Sequence, residues 1–233
     1  MRYTPVIQTA AIVLIGRFNP AIFSSGWLLH IGAIDENAFS AADTRIIHPE
    51  IADIVLGNVS INVTSEKFEI LTSHEPFIKI YDMAEIIFKN LSHTPVSKLG
   101  INLSLHFSLD SRAQQVELGR QLAPIEPWGT WGKSMESADP AKVGGLRVLV
   151  MEQSRPPDRD VGYRRVDIQP STQVNPTSGV YMAVNDHFEI TGSMADIGAI
   201  TAMNLLDTHF ESSLEESRSI ISSLMDFASG LKN

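Results

Sequence analysis

With 233 residues, 43% of them hydrophobic, the chain is long enough to bury one large core or two small ones. Its 27 acidic side chains against 18 basic ones leave a formal charge of −9, which repels phosphate backbones and anionic bilayers and so disfavours general nucleic-acid or membrane-surface binding. The lack of cysteine removes disulfides, thiolate catalysis and cysteine-type zinc sites together, and a reducing, cytoplasmic setting is expected.

Arg2 and the apolar run Ala10 to Ile15 have the outline of a short signal peptide, but Gln8 and Thr9 interrupt the approach and Arg17-Phe18-Asn19-Pro20 offers no small-residue cleavage site. The spacing predicts instead a long strand over Val6 to Phe18, apolar on both faces near its centre. Asn19 then caps a helix with Pro20 in its first turn, Ile22, Phe23, Trp27, Leu28 and Ile31 on one side, and Gly32 at its end. Asp35 to Glu50 is polar and lacks periodicity, so a connection or a ragged helix is expected there. Ile51 to Val63 and Phe68 to Leu71 read as two strands joined by the polar turn Thr64 to Lys67.

Phe77, Ile80, Met83, Ala84, Ile87, Phe88 and Leu91 recur at three- and four-residue spacing, which predicts an amphipathic helix from Pro76 to Leu91. Directly after it, Leu99, Ile101, Leu103, Leu105 and Phe107 alternate with Gly100, Asn102, Ser104 and His106, the period of a half-buried strand. The resulting order, strand-helix-strand-strand-helix-strand, is that of a ferredoxin-like βαββαβ unit over residues 1–110. This α+β architecture recurs across unrelated functions and fixes none of them.

Residues 111–233 predict a second subdomain of αβββα order, or a continuation of the first. A helix around Ala113 to Leu122 leads into a loop with Pro127, Trp128 and Trp131, and Lys133 to Gly145 reads as a polar joint. Three antiparallel strands follow over Leu146 to Glu152, Tyr163 to Gln169 and Val180 to Asn185. A long helix closes the chain, started by a capping box at Ser193 and Asp196 and ended at Gly230. Its length leaves the second half, with Leu224 and Phe227, free to bend, project or pack on another chain.

Asn185-Asp186-His187-Phe188, at the end of a strand, is the most suggestive group for chemistry, although Asn and Asp also satisfy backbone groups at strand ends. Arg155, Arg159, Arg164 and Arg165 form the one local basic enrichment, able to grip a phosphate or carboxylate, yet Glu152, Asp158, Asp160 and Asp167 interleave with them. His74, His93 and His106 match no zinc spacing, and no metal or cofactor is expected. Trp128 and Trp131 lie in a glycine-containing loop as interface anchors or as pins for the loop itself.

In their succession, the segments NPAIFSSGWLL, INVTSEKFEI, LSHTPVSKLGINLSLHF, VYMAVNDHFEI and LLDTHFESSL resemble a group of uncharacterised, sporadically distributed bacterial proteins. The resemblance implies a bacterial α+β protein and carries no catalytic residues with it. Two functions follow as expectations. One is a non-enzymatic binding or assembly subunit of a bacterial complex, or a homodimer, using Trp128, Trp131, Leu224 and Phe227. The alternative is a small-ligand-binding domain or enzyme with its site at the subdomain junction, built from Asp186, His187, Arg164 and Arg165.

Overall fold

In the computed structural model, which describes residues 3–137, 144–192 and 198–230, the first strand is β1 (Ile7–Gly16), with Ala10, Ile12 and Leu14 fully buried. The helix expected to start at Pro20 is split. Asn19 accepts a hydrogen bond from the Ala21 amide, but only one 3-10 turn follows, Pro20–Ile22. Extended Ser24 then restarts the chain as α1 (Ser25–His30), its hydroxyl accepting from the Trp27 amide at 3.2 Å.

The polar stretch after it is no mere connection. It forms α2 (Glu36–Ser40), capped by Asp35, and then β2 (Asp43–His48), exposed along its whole length. The segment 51–63 also departs from the expected single strand: β3 (Ile51–Leu56) and β4 (Val59–Thr64) fold back on each other at Gly57, whose φ of 62° suits a glycine. β5 (Lys67–Thr72), α3 (Ile78–Asn90) and β6 (Val96–Ser108) follow, the last two within a few residues of their expected limits.

The second part of the chain supplies α4 (Arg112–Leu122), a 3-10 turn at Glu126–Trp128, α5 (Gly129–Ser134), β7 (Leu149–Ser154), β8 (Tyr163–Pro170), β9 (Gly179–Glu189) and α6 (Ala199–Gly230). The capping box expected at Ser193 and Asp196 lies outside the described residues, as does part of the expected joint over Lys133 to Gly145. α6 has 32 residues and spans roughly 48 Å. It neither bends away nor leaves its seam open: Ala202, Leu206, Phe210, Leu214, Ile221, Met225 and Ala228 are buried along its length. Leu224 is half-buried against the same core, whereas Phe227 points to solvent with 44% exposure.

Among the described residues, all nine strands belong to one antiparallel sheet in the order β2-β3-β4-β5-β1-β6-β9-β8-β7. The sheet is therefore larger than the four-stranded one expected for residues 1–110: β3 and β2 lie beyond β4 on one side, and β9, β8 and β7 beyond β6 on the other. The two parts of the chain join where β6 pairs with β9, continuously from Lys98↔Glu189 to Ser108↔Gly179. One face of this sheet carries the apolar side chains of Ile12, Ile61, Ile70, Ile101 and Val184, and α3 and α6 pack on it. Phe18, Phe23, Phe68 and Phe88 fill the end near α3, with Phe68 and Phe88 edge to face at 4.9 Å. The opposite face bears Thr9, Asn102, Ser104, Asn185 and Arg165. No helix among the described residues is long and apolar enough to cross a membrane.

Candidate functional site

The alternation of β9 decides where its polar residues go. Val180, Met182 and Val184 are buried on the helix-covered face, and Asp186 is the next residue on that side, fully buried between Ile101 of β6 and Arg164 of β8. A lone carboxylate there would be very costly, and it is not alone. Arg159 donates to its Oδ1 at 2.8 Å, Arg164 reaches Oδ1 at 3.3 Å and Oδ2 at 3.2 Å, and the Ser213 hydroxyl of α6 donates to Oδ2 at 2.6 Å.

Arg159 arrives from the β7–β8 connection. Its guanidinium lies 3.7 Å above the Phe188 ring and donates to the His187 carbonyl at 3.2 Å. Gly162, at a φ of 104°, makes that approach possible: a Cβ there would sit 2.2 Å from the same carbonyl oxygen. Burial pushes the Asp158 carboxyl up, but the hydrogen bond and charge of Arg159 outweigh it and hold the group below its usual range. Both Asp186 oxygens are thus occupied, and the cluster acts as a clamp joining β8, β9, the connection and α6. A general base needs a free oxygen facing a substrate, and this carboxylate presents none.

His187 and Arg165 lie on the other side of the sheet. Residues adjacent in a strand point to opposite faces, so Asp186, His187, Arg164 and Arg165 do not converge on one site. On the uncovered face His187 stands across from Gly100 of β6 and Tyr163 of β8, and Asn185 stands across from Asn102 and Arg165. The Tyr163 and His187 rings stack at 4.3 Å and 15°. Two further rings, His106 and Tyr181, pack at 4.8 Å, and the His106 Nδ1 is 2.8 Å from the Ser171 hydroxyl. This face therefore carries aromatic rings from β6, β8 and β9.

Only four buried side-chain nitrogen or oxygen atoms among the described residues lack a hydrogen-bond partner, and three of them are His187 Nε2, Asn185 Oδ1 and Arg165 Nε. They fall within one block of two strands. The Arg165 Nε is 3.4 Å from Asp167 Oδ2 without forming a hydrogen bond. A Cβ built on Gly100 would meet Asn185 Oδ1 at 3.4 Å and Asn102 Nδ2 at 3.6 Å, so the glycine leaves a small hollow flanked by two carboxamides. Burial lowers the pKa of both histidines. For His187 the charges of Lys98 and Arg159 add to this, and Glu189 and Glu152 oppose it.

The other candidates lie apart. Trp128 and Trp131 are 60% and 59% exposed and pack edge to face at 5.4 Å. No group of three metal-ligating side chains occurs among the described residues. Ser213, Tyr163 and Gly100 carry no sequence motif. Ser213 and Ser217 nevertheless sit within the buried stripe of α6, and polar residues in such a stripe imply a buried polar partner.

No protein-family model matches the chain, and no match was found among curated proteins.

Proposed function

We propose that the protein binds a small polar ligand on the uncovered face of the sheet, over β6, β9 and β8. The observation that carries this reading is the grouping on that face of three buried polar atoms without a hydrogen bond, His187 Nε2, Asn185 Oδ1 and Arg165 Nε, the last beside the Asp167 carboxylate. Buried polar groups in folded proteins are nearly always paired with protein or with water, so a polar ligand on this face finds groups that it can satisfy. His187, only 8% exposed and stacked beneath Tyr163, is held in place for that purpose. The Asp186 clamp serves as the rigid support behind it, because it fixes the adjacent residue of the same strand. We read the role as recognition rather than catalysis, since an imidazole, a carboxamide and a guanidinium beside a carboxylate include no activated nucleophile.

A melting-temperature screen against polar metabolites tests this. Compounds that bind raise the midpoint of the wild type and fail to raise that of His187→Ala or Asn185→Leu. Shifts that persist in both variants would place the site elsewhere and refute the reading.

A second reading, assembly with a protein partner or a second copy, is supported by the exposed tryptophan pair and by Phe227. Native mass measurement of the wild type and Trp128→Ala tests it, and a monomer in both cases would count against it. The adjacency β4-β5-β1-β6 supports the expected ferredoxin-like order at the sheet centre, which bears on neither function.

A further inference from the structure

We infer that a short-chain carboxylate binds in the cavity between α4 and the adjoining ends of β8 and β9. This site is separate from the uncovered face and rests on other observations. Ile168 and Val180 belong to the helix-covered side of the sheet, and with Leu118 and half-buried Val116 of α4 they line a space of about 120 Å³. That volume lies well below the roughly 300–1,000 Å³ of sites for drug-sized molecules, so the ligand is small. Gly119 lets residues 144–147 close over the helix, since a Cβ there would come within 3.0 Å of the Leu146 Cβ.

The lining carries charge of one sign. Arg112 and Arg147 are its charged residues and Gln115 and Gln169 its carboxamides, and no Asp or Glu among the described residues lines it, in a chain of net charge −9. Gln115 is fixed in place by donating to the Gly179 carbonyl at 2.6 Å. Arg147 is exposed and forms no ion pair among the described residues. Arg112 makes a contact of its own, and a guanidinium with five N–H donors serves a second acceptor as well. Leu118, Ile168 and Val180 are buried, whereas both arginines reach solvent, so the apolar floor lies deep and the cations stand at the mouth. Such a cavity selects an anion with a small apolar body. A carboxylate takes two parallel N–H bonds from a guanidinium, while its hydrocarbon tail displaces water from the floor. Inorganic phosphate has no tail and gains nothing from that floor.

The test titrates the full chain with butyrate, followed by backbone amide chemical shifts, with butyramide as the uncharged isostere and inorganic phosphate as the anion without a tail. The expected result is a set of saturable shifts confined to α4, residues 144–147 and the adjoining ends of β8 and β9. Butyramide and phosphate should each bind at least tenfold more weakly, and so should butyrate to Arg147→Gln and to Val116→Phe, which fills the cavity. The ligand comparison needs no variant, so it survives a substitution that unfolds the protein. Equal binding of butyrate and butyramide would overturn the carboxylate, and equal binding of butyrate and phosphate would overturn the apolar tail. Butyrate shifts that leave these residues unmoved, or that persist in both variants, would overturn the site. An absence of saturable binding by butyrate, isovalerate and crotonate would overturn the proposal outright. Any of these failures leaves the uncovered-face reading standing, because that reading is tested at Asn185 and His187.

Discussion

Replacing Asp186 by Asn keeps the volume and the shape of the side chain and removes its charge. The Arg159 and Arg164 side chains are 7% and 13% exposed, so the two guanidiniums lose their shared counter-ion where water has little access. Breaking a buried pair in this way costs about 3–5 kcal/mol, with Asp158 at 2.8 Å from Arg159 and Glu216 at 3.7 Å from Arg164 left as the more exposed counter-charges. For a chain of this size each kcal/mol corresponds to about 2–4 °C, which gives a fall of about 6–20 °C in the melting midpoint. The control is Glu85→Ala, which removes an exposed i,i+4 pair to Lys89 at 3.0 Å and costs only about 0.3–0.5 kcal/mol. Urea denaturation followed by circular dichroism measures both, with the midpoint expected to move at constant slope. A loss below about 1 kcal/mol for Asp186→Asn would put the cluster in the range of surface pairs and refute the clamp.

Burial lowers the pKa of His106 and His187 in the folded protein, so on acidification the unfolded chain takes up those protons first. Stability should fall as pH drops below the ordinary value of about 6.5, with the loss complete below the lowered folded values. His187→Gln should flatten that slope, and an unchanged slope would remove His187 from the account. Gly162→Ala places a methyl 2.2 Å from the His187 carbonyl at a φ of 104°, and equilibrium unfolding should show a loss of about 1–3 kcal/mol or more. Gly26→Ala meets nothing within 4 Å inside α1 and should be neutral or stabilising by up to about 1 kcal/mol. The Tyr81 phenol donates to Asp207 at 2.7 Å, and that hydrogen bond raises its pKa to about 12. Ultraviolet titration should find one tyrosine ionising near there.

The elements with one buried face were legible in the sequence. β6 and α3 show their periods plainly because each has a single face against the core. β2 shows none, since all six of its residues are exposed at the sheet edge and no face is selected for apolarity. The β3–β4 turn was readable in principle: the buried positions are 52, 54 and 56 before Gly57-Asn58 and 59, 61 and 63 after it, and a continuous strand would keep its parity. The same rule separates Asp186 from His187, because Asp186 shares the face of Val180, Met182 and Val184. What no local pattern could give is the partnership of β6 with β9, or of Ser213 with Asp186 across 27 residues, both of which depend on long-range closure of the sheet.

Binding on the open face of the sheet is tested most directly by nuclear magnetic resonance of the side-chain amides of Asn102 and Asn185 and of the Arg165 Nε–H during titration with a compound that raises the melting midpoint. If the ligand sits there, these side-chain resonances shift together, with backbone shifts confined to β6, β8 and β9. Shifts that map to the α3–α6 surface or to the turn and helix carrying Trp128 and Trp131, with the three side chains unmoved, would contradict the reading.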